Sequence, residues 1–189
     1  MTRTYADLSS PVGRVRVIAR DGAICRVDFE THAGFDISPR GDERPDDPLL
    51  ARALDQLREY FAGARAEFDL PLEPEGGTPF QRRAWKALRE IPFGQTRTYG
   101  EQARAIQQPT AVRAVGAANG RNPIGIIVPC HRVIGSDGKL TGYAGGMAAK
   151  QWLLEHEARV LGTSFASAPR SIRGPSRPPS NPRQLRWLP

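Results

Sequence analysis

A thiol and an imidazole stand side by side once in this chain, as Cys130-His131 in "IIVPCHRVIG", residues 126–135. A cysteine reacts as its thiolate, so a reactive one needs a neighbour that accepts its proton or stabilises the charge. His131 is the nearest base, yet on an extended chain successive side chains point to opposite faces. Pro129 and the polar residues after it suggest that the strand ends there. A turn would let the two groups converge directly or through a water. The plain alternative is a buried, inert cysteine. Such a pair also needs a third group to orient the imidazole. The acids of the second half are Glu90, Glu101, Asp137, Glu155 and Glu157, and spacing does not choose among them.

The elements that would carry these groups follow from pattern. In "GRVRVIARDGAICRVDFE", Val15, Val17 and Ala19 alternate with arginines, and Asp21-Gly22 supplies a turn. Ala23, Cys25, Val27 and Phe29 are then expected on one apolar face of a second strand. A polar loop leads to "PLLARALDQLREYFAG", a helix with Leu50, Leu54, Leu57 and Phe61 on one side. "LPLEPEGG" reads as a linker. Thr78-Pro79 opens a further helix, and Thr98-x-x-Glu101 is a capping box before "YGEQARAI". With the small-residue helix "TAVRAVGAANG" this forms a candidate helix-turn-helix, whose bland counterpart is an ordinary helical hairpin. "IGIIV" is expected as a short buried strand or extended segment, "GSDGKLTGYAGG" as a glycine-rich loop or wing, and "MAAKQWLLEHEARVLG" as an amphipathic helix.

The fold expected is a small α/β N-terminal domain, sheet plus helix, followed by a mostly α C-terminal domain with helix-turn-helix and wing. The expected boundaries are residues 1–75 and 76–165, with a Pro/Arg-rich tail over 166–189 that cannot bury enough apolar surface to order. Charge follows the same division. Residues 1–75 hold 10 Lys and Arg against 15 Asp and Glu, residues 76–165 hold 12 against 5, and the tail has 5 arginines and no acid. A basic second half suits a polyanion, or is simply a solvated face. Two distant cysteines are too few for a disulfide framework, and neither a signal peptide nor a membrane-spanning run is seen. A cytoplasmic protein with reduced thiols is expected.

The segments "TRTYGEQARAI" and "AVRAVGAANGRNPIGIIVPCHRVIGSDGKLTGYAGGMAAKQWLLEHE" resemble the O6-alkylguanine-DNA alkyltransferases, the methylated-DNA–protein-cysteine methyltransferases. The resemblance is close over about residues 78–162, weaker over the first third, and does not reach the tail. It implies a single-turnover repair protein. Such a protein binds duplex DNA containing O6-alkylguanine, flips the base out and moves the alkyl group onto its own cysteine without a cofactor. O4-alkylthymine is a further possible substrate. By motif, the resemblance makes Cys130 the acceptor, His131 a base acting through a water, and Glu157 the orienting carboxylate. Asn122 would brace the helix-turn-helix against the active-site turn. Tyr99 would crowd the target phosphate and hydrogen-bond the flipped base, and Arg113 would fill the vacated stack. Tyr143 would line the base pocket, the backbones of Val133 and Ala144 would read the guanine, and Gly145 would leave room for the alkyl group.

Some family members hold zinc in the first domain. Here only Cys25 and His32 are available there, short of four ligands, so no metal is expected. A related non-enzymatic group carries tryptophan at the position of Cys130. A monomer is expected, with cooperative binding on DNA left open. Two rivals from other classes are a DNA-binding regulator without chemistry and a cysteine hydrolase using Cys130 and His131. The first would not need "PCHR" with Glu157, and the second would not need Tyr99 and Arg113.

Overall fold

The computed structural model describes residues 3–30 and 41–165. The expectation for the tail, and His32 with most of the polar loop, lie outside them. No described helix is long and apolar enough to cross a membrane.

The first half is a four-stranded sheet with one helix. Strands β1 (Arg3–Ser10), β2 (Gly13–Arg20) and β3 (Ala23–Phe29) form an antiparallel meander. The two-residue β4 (Asp42–Glu43) adds parallel to β1, giving the order β3-β2-β1-β4. The hairpin is where the alternation put it. Strand β1 was not legible, because only Ala6 and Leu8 of "RTYADLSS" join the main core. Val15, Val17 and Ala19 face that core as expected.

The expected common face of β3 needs correction. Val17 pairs with Val27 and Ile18 with Arg26, but Ala19 pairs with Ile24, so Cys25 is an extra residue in a bulge. One inserted residue reverses the alternation. Ile24, Val27 and Phe29 therefore face the main core, while Cys25 joins Tyr5 and Ile18 in a separate small cluster.

Helix α1 (Pro48–Phe61) is capped by Asp47, whose side chain accepts from the Leu49 and Leu50 amides. Leu50, Leu54 and Leu57 are buried as the spacing requires, but Tyr60 rather than Phe61 completes the stripe and has no exposure. Phe61 is half-buried and packs its ring against Trp152. The "LPLEPEGG" segment is docked instead of free. Ile24 donates to Pro71 O (2.8 Å), and Glu73 and Glu75 donate back to Ile24 O and Cys25 O (2.9 and 3.1 Å). The Glu75 carboxylate lies among Arg3, Arg20 and Arg26.

The second half runs α2 (Pro79–Leu88), β5 (Arg97–Thr98), α3 (Tyr99–Ala105) and α4 (Val112–Asn119). A 3₁₀ turn (Cys130–Arg132), β6 (Val133–Ile134) and α5 (Met147–Val160) follow. Thr78 with Gln81 and Thr98 with Glu101 both close reciprocal capping boxes. Helices α3 and α4 form the helix-turn-helix, locked by a buried amide pair. Gln102 Nε2 donates to Asn119 Oδ1 (3.0 Å) and Asn119 Nδ2 returns to Gln102 Oε1 (2.7 Å). Gln102 also donates to Ala84 O and Trp85 Nε1 to Ala118 O, which bolts both helices onto α2.

"IGIIV" is a compact turn and not a strand. Only Ile124 makes a bridge, to Val27 of β3. Ile127 then donates to Gly125 O and Val128 to Ile124 O. Ile126 sits at φ 66°, which costs a β-branched residue of order 1–3 kcal/mol. Apolar composition reported burial correctly but not the absence of a ladder.

The amide pair sets a stability expectation. Asn119→Ala leaves the buried Gln102 amide short of a partner, so chemical denaturation should show a loss of about 1–3 kcal/mol. A loss within experimental error would mean that the pair does not hold the two helices.

Candidate active site

The nucleophile candidate sits on the 3₁₀ turn, held from below by Asn122. The Asn122 Nδ2 donates to Val128 O (2.7 Å) and to Cys130 Sγ (3.2 Å), and its Oδ1 accepts from the Ile124 amide (3.1 Å). One side chain thus pins both ends of the 124–128 turn and the thiol. Burial pushes the Cys130 thiol up, while the Asn122 hydrogen bond and the Lys150 charge pull it down. Burial prevails, so the resting group is a neutral thiol that needs a base.

His131 is fully buried, and its Nε2 lies 2.9 Å from Glu157 Oε1. A carboxylate only accepts, so Nε2 carries the proton and Nδ1 is left as the acceptor of a neutral imidazole. Burial lowers the imidazole pKa, Glu157 opposing. Nδ1 is buried and makes no hydrogen bond within the described residues. Thiol and imidazole are therefore adjacent in sequence without a direct bond.

Glu157 of α5 is the acid at this imidazole. Its Oε1 also accepts from Tyr60 Oη (2.8 Å) and Arg132 Nη2 (2.9 Å), and Oε2 accepts from the Gly94 amide (2.8 Å) and Arg132 Nε (3.0 Å). Arg132 spends its remaining edge on Ile91 O (2.6 Å). Burial pushes the Glu157 carboxyl up, but the fork of Arg132 and the other donors outweigh it and hold it well below the carboxylate range. Arg132, Tyr60 and the Gly94 amide are the members that sequence reasoning missed. Arg132 lay within the quoted motif, but no local pattern links Tyr60 to a carboxylate 97 residues away.

A cleft of about 520 Å³ opens between the helix-turn-helix and the loop after β6, lined by Tyr99, Arg113, Gly116, Thr141, Tyr143 and Ala144 among others. Four of the expected residues thus share one opening. Arg113 is exposed on α4. Thr141 Oγ1 donates to Tyr99 Oη (3.1 Å), which ties the loop to the helix-turn-helix. Val133 is buried on β6, and its carbonyl already accepts from Lys150 Nζ (2.6 Å), leaving one lone pair. Lys150 also donates to Thr141 O (2.8 Å), and burial lowers its pKa to about 8. At Gly145 a Cβ would meet the Tyr143 ring at 2.9 Å and Phe29 at 3.0 Å. Its missing side chain is therefore space taken by rings, one of them from β3. Phe29 and Tyr143 contact edge to face, with centroids 5.6 Å apart.

The buried network fixes a pH dependence. His131 and Glu157 both have lowered pKa values in the folded state, so the unfolded chain binds more protons through the acid range. Their contribution is present above the ordinary imidazole value of 6.5 and is lost as pH falls through each folded value. Denaturation midpoints should drop steadily below about pH 6.5 and again below pH 4. Glu157→Gln leaves Arg132 as a buried unpaired charge, so at pH 7 it should cost about 3–5 kcal/mol by urea unfolding. A loss under about 1 kcal/mol would show that water reaches Arg132.

The sequence and the fold both have relatives among known proteins. Residues 3–74 match the family model for the 6-O-methylguanine DNA methyltransferase ribonuclease-like domain, and residues 79–159 match that for the DNA binding domain. The methylated-DNA–protein-cysteine methyltransferase of Mycolicibacterium paratuberculosis is 46% identical over 161 residues, 82% of this chain and 92% of the relative. That of Methanosarcina barkeri is 48% identical over 157 residues, 83% and 98%. The crystal structure of Mycobacterium tuberculosis OGT in complex with DNA superposes with a TM-score of 0.76 at 46% identity, covering 83% of this chain and 94% of that one. Two matched halves and relatives nearly half identical over most of their lengths place this chain in the 6-O-methylguanine DNA methyltransferase family, the methylated-DNA–protein-cysteine methyltransferases.

Proposed function

We propose that this protein repairs O6-alkylguanine in duplex DNA by moving the alkyl group onto Cys130, once per molecule. The observation that carries the reading is the Cys130 thiol, held by Asn122 beside a His131 whose free Nδ1 is fixed as an acceptor by Glu157. Residues 1–75 act as scaffold and residues 76–165 as the DNA-binding and alkyl-acceptor unit.

The O6 substituent is out of a protein nucleophile's reach inside the stack, so the base must be flipped out. The exposed Arg113 on α4 enters the vacated space, and Tyr99 crowds the phosphate and meets the flipped base. In the cleft, Tyr143 lines the base, the backbones of Val133 and Ala144 read its edge, and the space beside Gly145 takes the alkyl group. Phe29 and Tyr143 now fill the space beside Gly145, so these rings must shift to admit the alkyl group. The O4 position of alkylthymine presents the same alkoxy chemistry on a smaller base and is a second substrate of this site.

Chemistry is one displacement. A water between Cys130 Sγ and His131 Nδ1 relays the thiol proton to the imidazole, and Glu157 stabilises the cation that forms. The thiolate attacks the alkyl carbon in line. The S–C bond forms, the C–O6 bond breaks, and its electron pair stays on the guanine, which takes up the proton. A thioether has no leaving path comparable to its formation, so turnover ends there. No step calls for a cofactor. One protomer holds every group named, which suits a monomer acting in the cytoplasm.

Intact-mass measurement after incubation with an O6-methylguanine duplex should show one added methyl per protein, on the Cys130 peptide, and none for Cys130→Ala. Unchanged mass with retained DNA binding would favour the regulator, and repeated turnover would favour a hydrolase. Arg113→Ala should slow repair of duplex DNA at least about tenfold while leaving reaction with free O6-methylguanine base unchanged. Equal losses on both substrates would sink the stack-filling role.

A further inference from the structure

The Glu157 oxygen that holds His131 is shared with a phenol from the other half of the molecule. Tyr60 lies on α1, is fully buried, and donates its hydroxyl to Glu157 Oε1 at 2.8 Å. That oxygen accepts Arg132 Nη2 and His131 Nε2 as well, so three donors compete for one atom. The Tyr60 ring is fixed by edge contacts to Phe93 and His156, and its carbonyl lies 2.7 Å from His156 Nε2. Its hydroxyl therefore has a defined direction, and that direction is the carboxylate.

We propose that Tyr60 is a positioning residue for the transfer reaction: by donating to Glu157 Oε1 it limits how strongly that oxygen binds His131 Nε2–H, and so keeps His131 a neutral base. The proposal rests on the reading of His131 as the base. A carboxylate oxygen that already accepts two other donors is a weaker acceptor for the third, and a weaker partner stabilises imidazolium less. Removing the phenol donor returns electron density to Oε1, tightens its hold on His131 and favours the protonated ring. Other titratable groups face this pair from three elements. Arg132 and Cys130 come from the turn and Lys150 from α5. Tyr143, its ring centroid 6.3 Å from that of His131, comes from the loop. None of these replaces Tyr60 on Oε1. The phenol itself stays protonated, since burial beside Glu157 holds its pKa well above the ordinary tyrosine value.

Tyr60→Phe keeps the ring and removes only the donor. Single-turnover repair rates measured from pH 5.5 to 8.5 should show the acid limb displaced to higher pH. The variant should be about threefold slower than the unaltered protein at pH 6, and equal or faster at pH 8.5. Phe68→Leu, which disturbs packing beside Tyr60 but no hydrogen bond to Glu157, should lower the melting temperature without moving the limb. Nitrogen-15 histidine NMR of the free protein, with resonances assigned by single substitutions, should show the His131 midpoint higher in Tyr60→Phe. A limb and a midpoint unchanged in folded Tyr60→Phe overturn the proposal. If His131→Gln repairs at the full rate, the base reading itself fails, whatever the phenylalanine variant does.

Discussion

The second half of this molecule is organised around one buried negative charge. Glu157 brings a carboxylate into the fully buried interior, and a lone ion there would be prohibitive. It is stable because donors converge on it from four places: the phenol of α1, the Gly94 amide, the Arg132 fork of the 3₁₀ turn and the His131 ring. Each donor belongs to a different or differently constrained segment. The carboxylate is thus a fastening between the two halves as well as an electrostatic partner. The chemistry inherits its geometry from that fastening, since the His131 tautomer follows from which nitrogen meets Oε1.

A second constraint acts on the turn beside it. The Asn122 side chain adds hydrogen bonds to both ends of the 124–128 turn, and Ile126 is held in a left-handed conformation that it would not choose alone. Strand β3 supplies the outer support, through Val27 N to Pro123 O at 2.8 Å and the Val27–Ile124 bridge. From the same strand Phe29 backs Tyr143 and Gly145. The small sheet therefore backs the Tyr143 side of the cleft without lining it, and its bulge at Cys25 matters because it sets which residues of β3 face that way.

Much of this was legible in the sequence because local rules govern it. The capping boxes at Thr78 and Thr98, the helical spacing of Leu50, Leu54 and Leu57, and the turn at Asp21-Gly22 each specify a nearby geometry. The cysteine and histidine stood out by type. What escaped depended on distance or on a single inserted residue. Tyr60 differs from a core aromatic only in what its hydroxyl meets. Ile124 to Val128 look like a strand to any measure of hydrophobicity, because burial is common to strands and tight turns. The bulge cannot be seen from one strand alone, since it exists only relative to the register of β2.

The placement of Glu157 on the last described helix has a consequence for how the protein comes into being. During synthesis Cys130, His131 and Arg132 emerge from the ribosome before α5 does, and domains close only when their late contacts exist. Until then Arg132 lacks the Glu157 counter-charge and the imidazole lacks the partner that fixes its tautomer. The network around the buried carboxylate therefore assembles only once α5 has emerged. A product stalled before Glu157 would lack the one carboxylate that meets the His131 ring and the Arg132 fork.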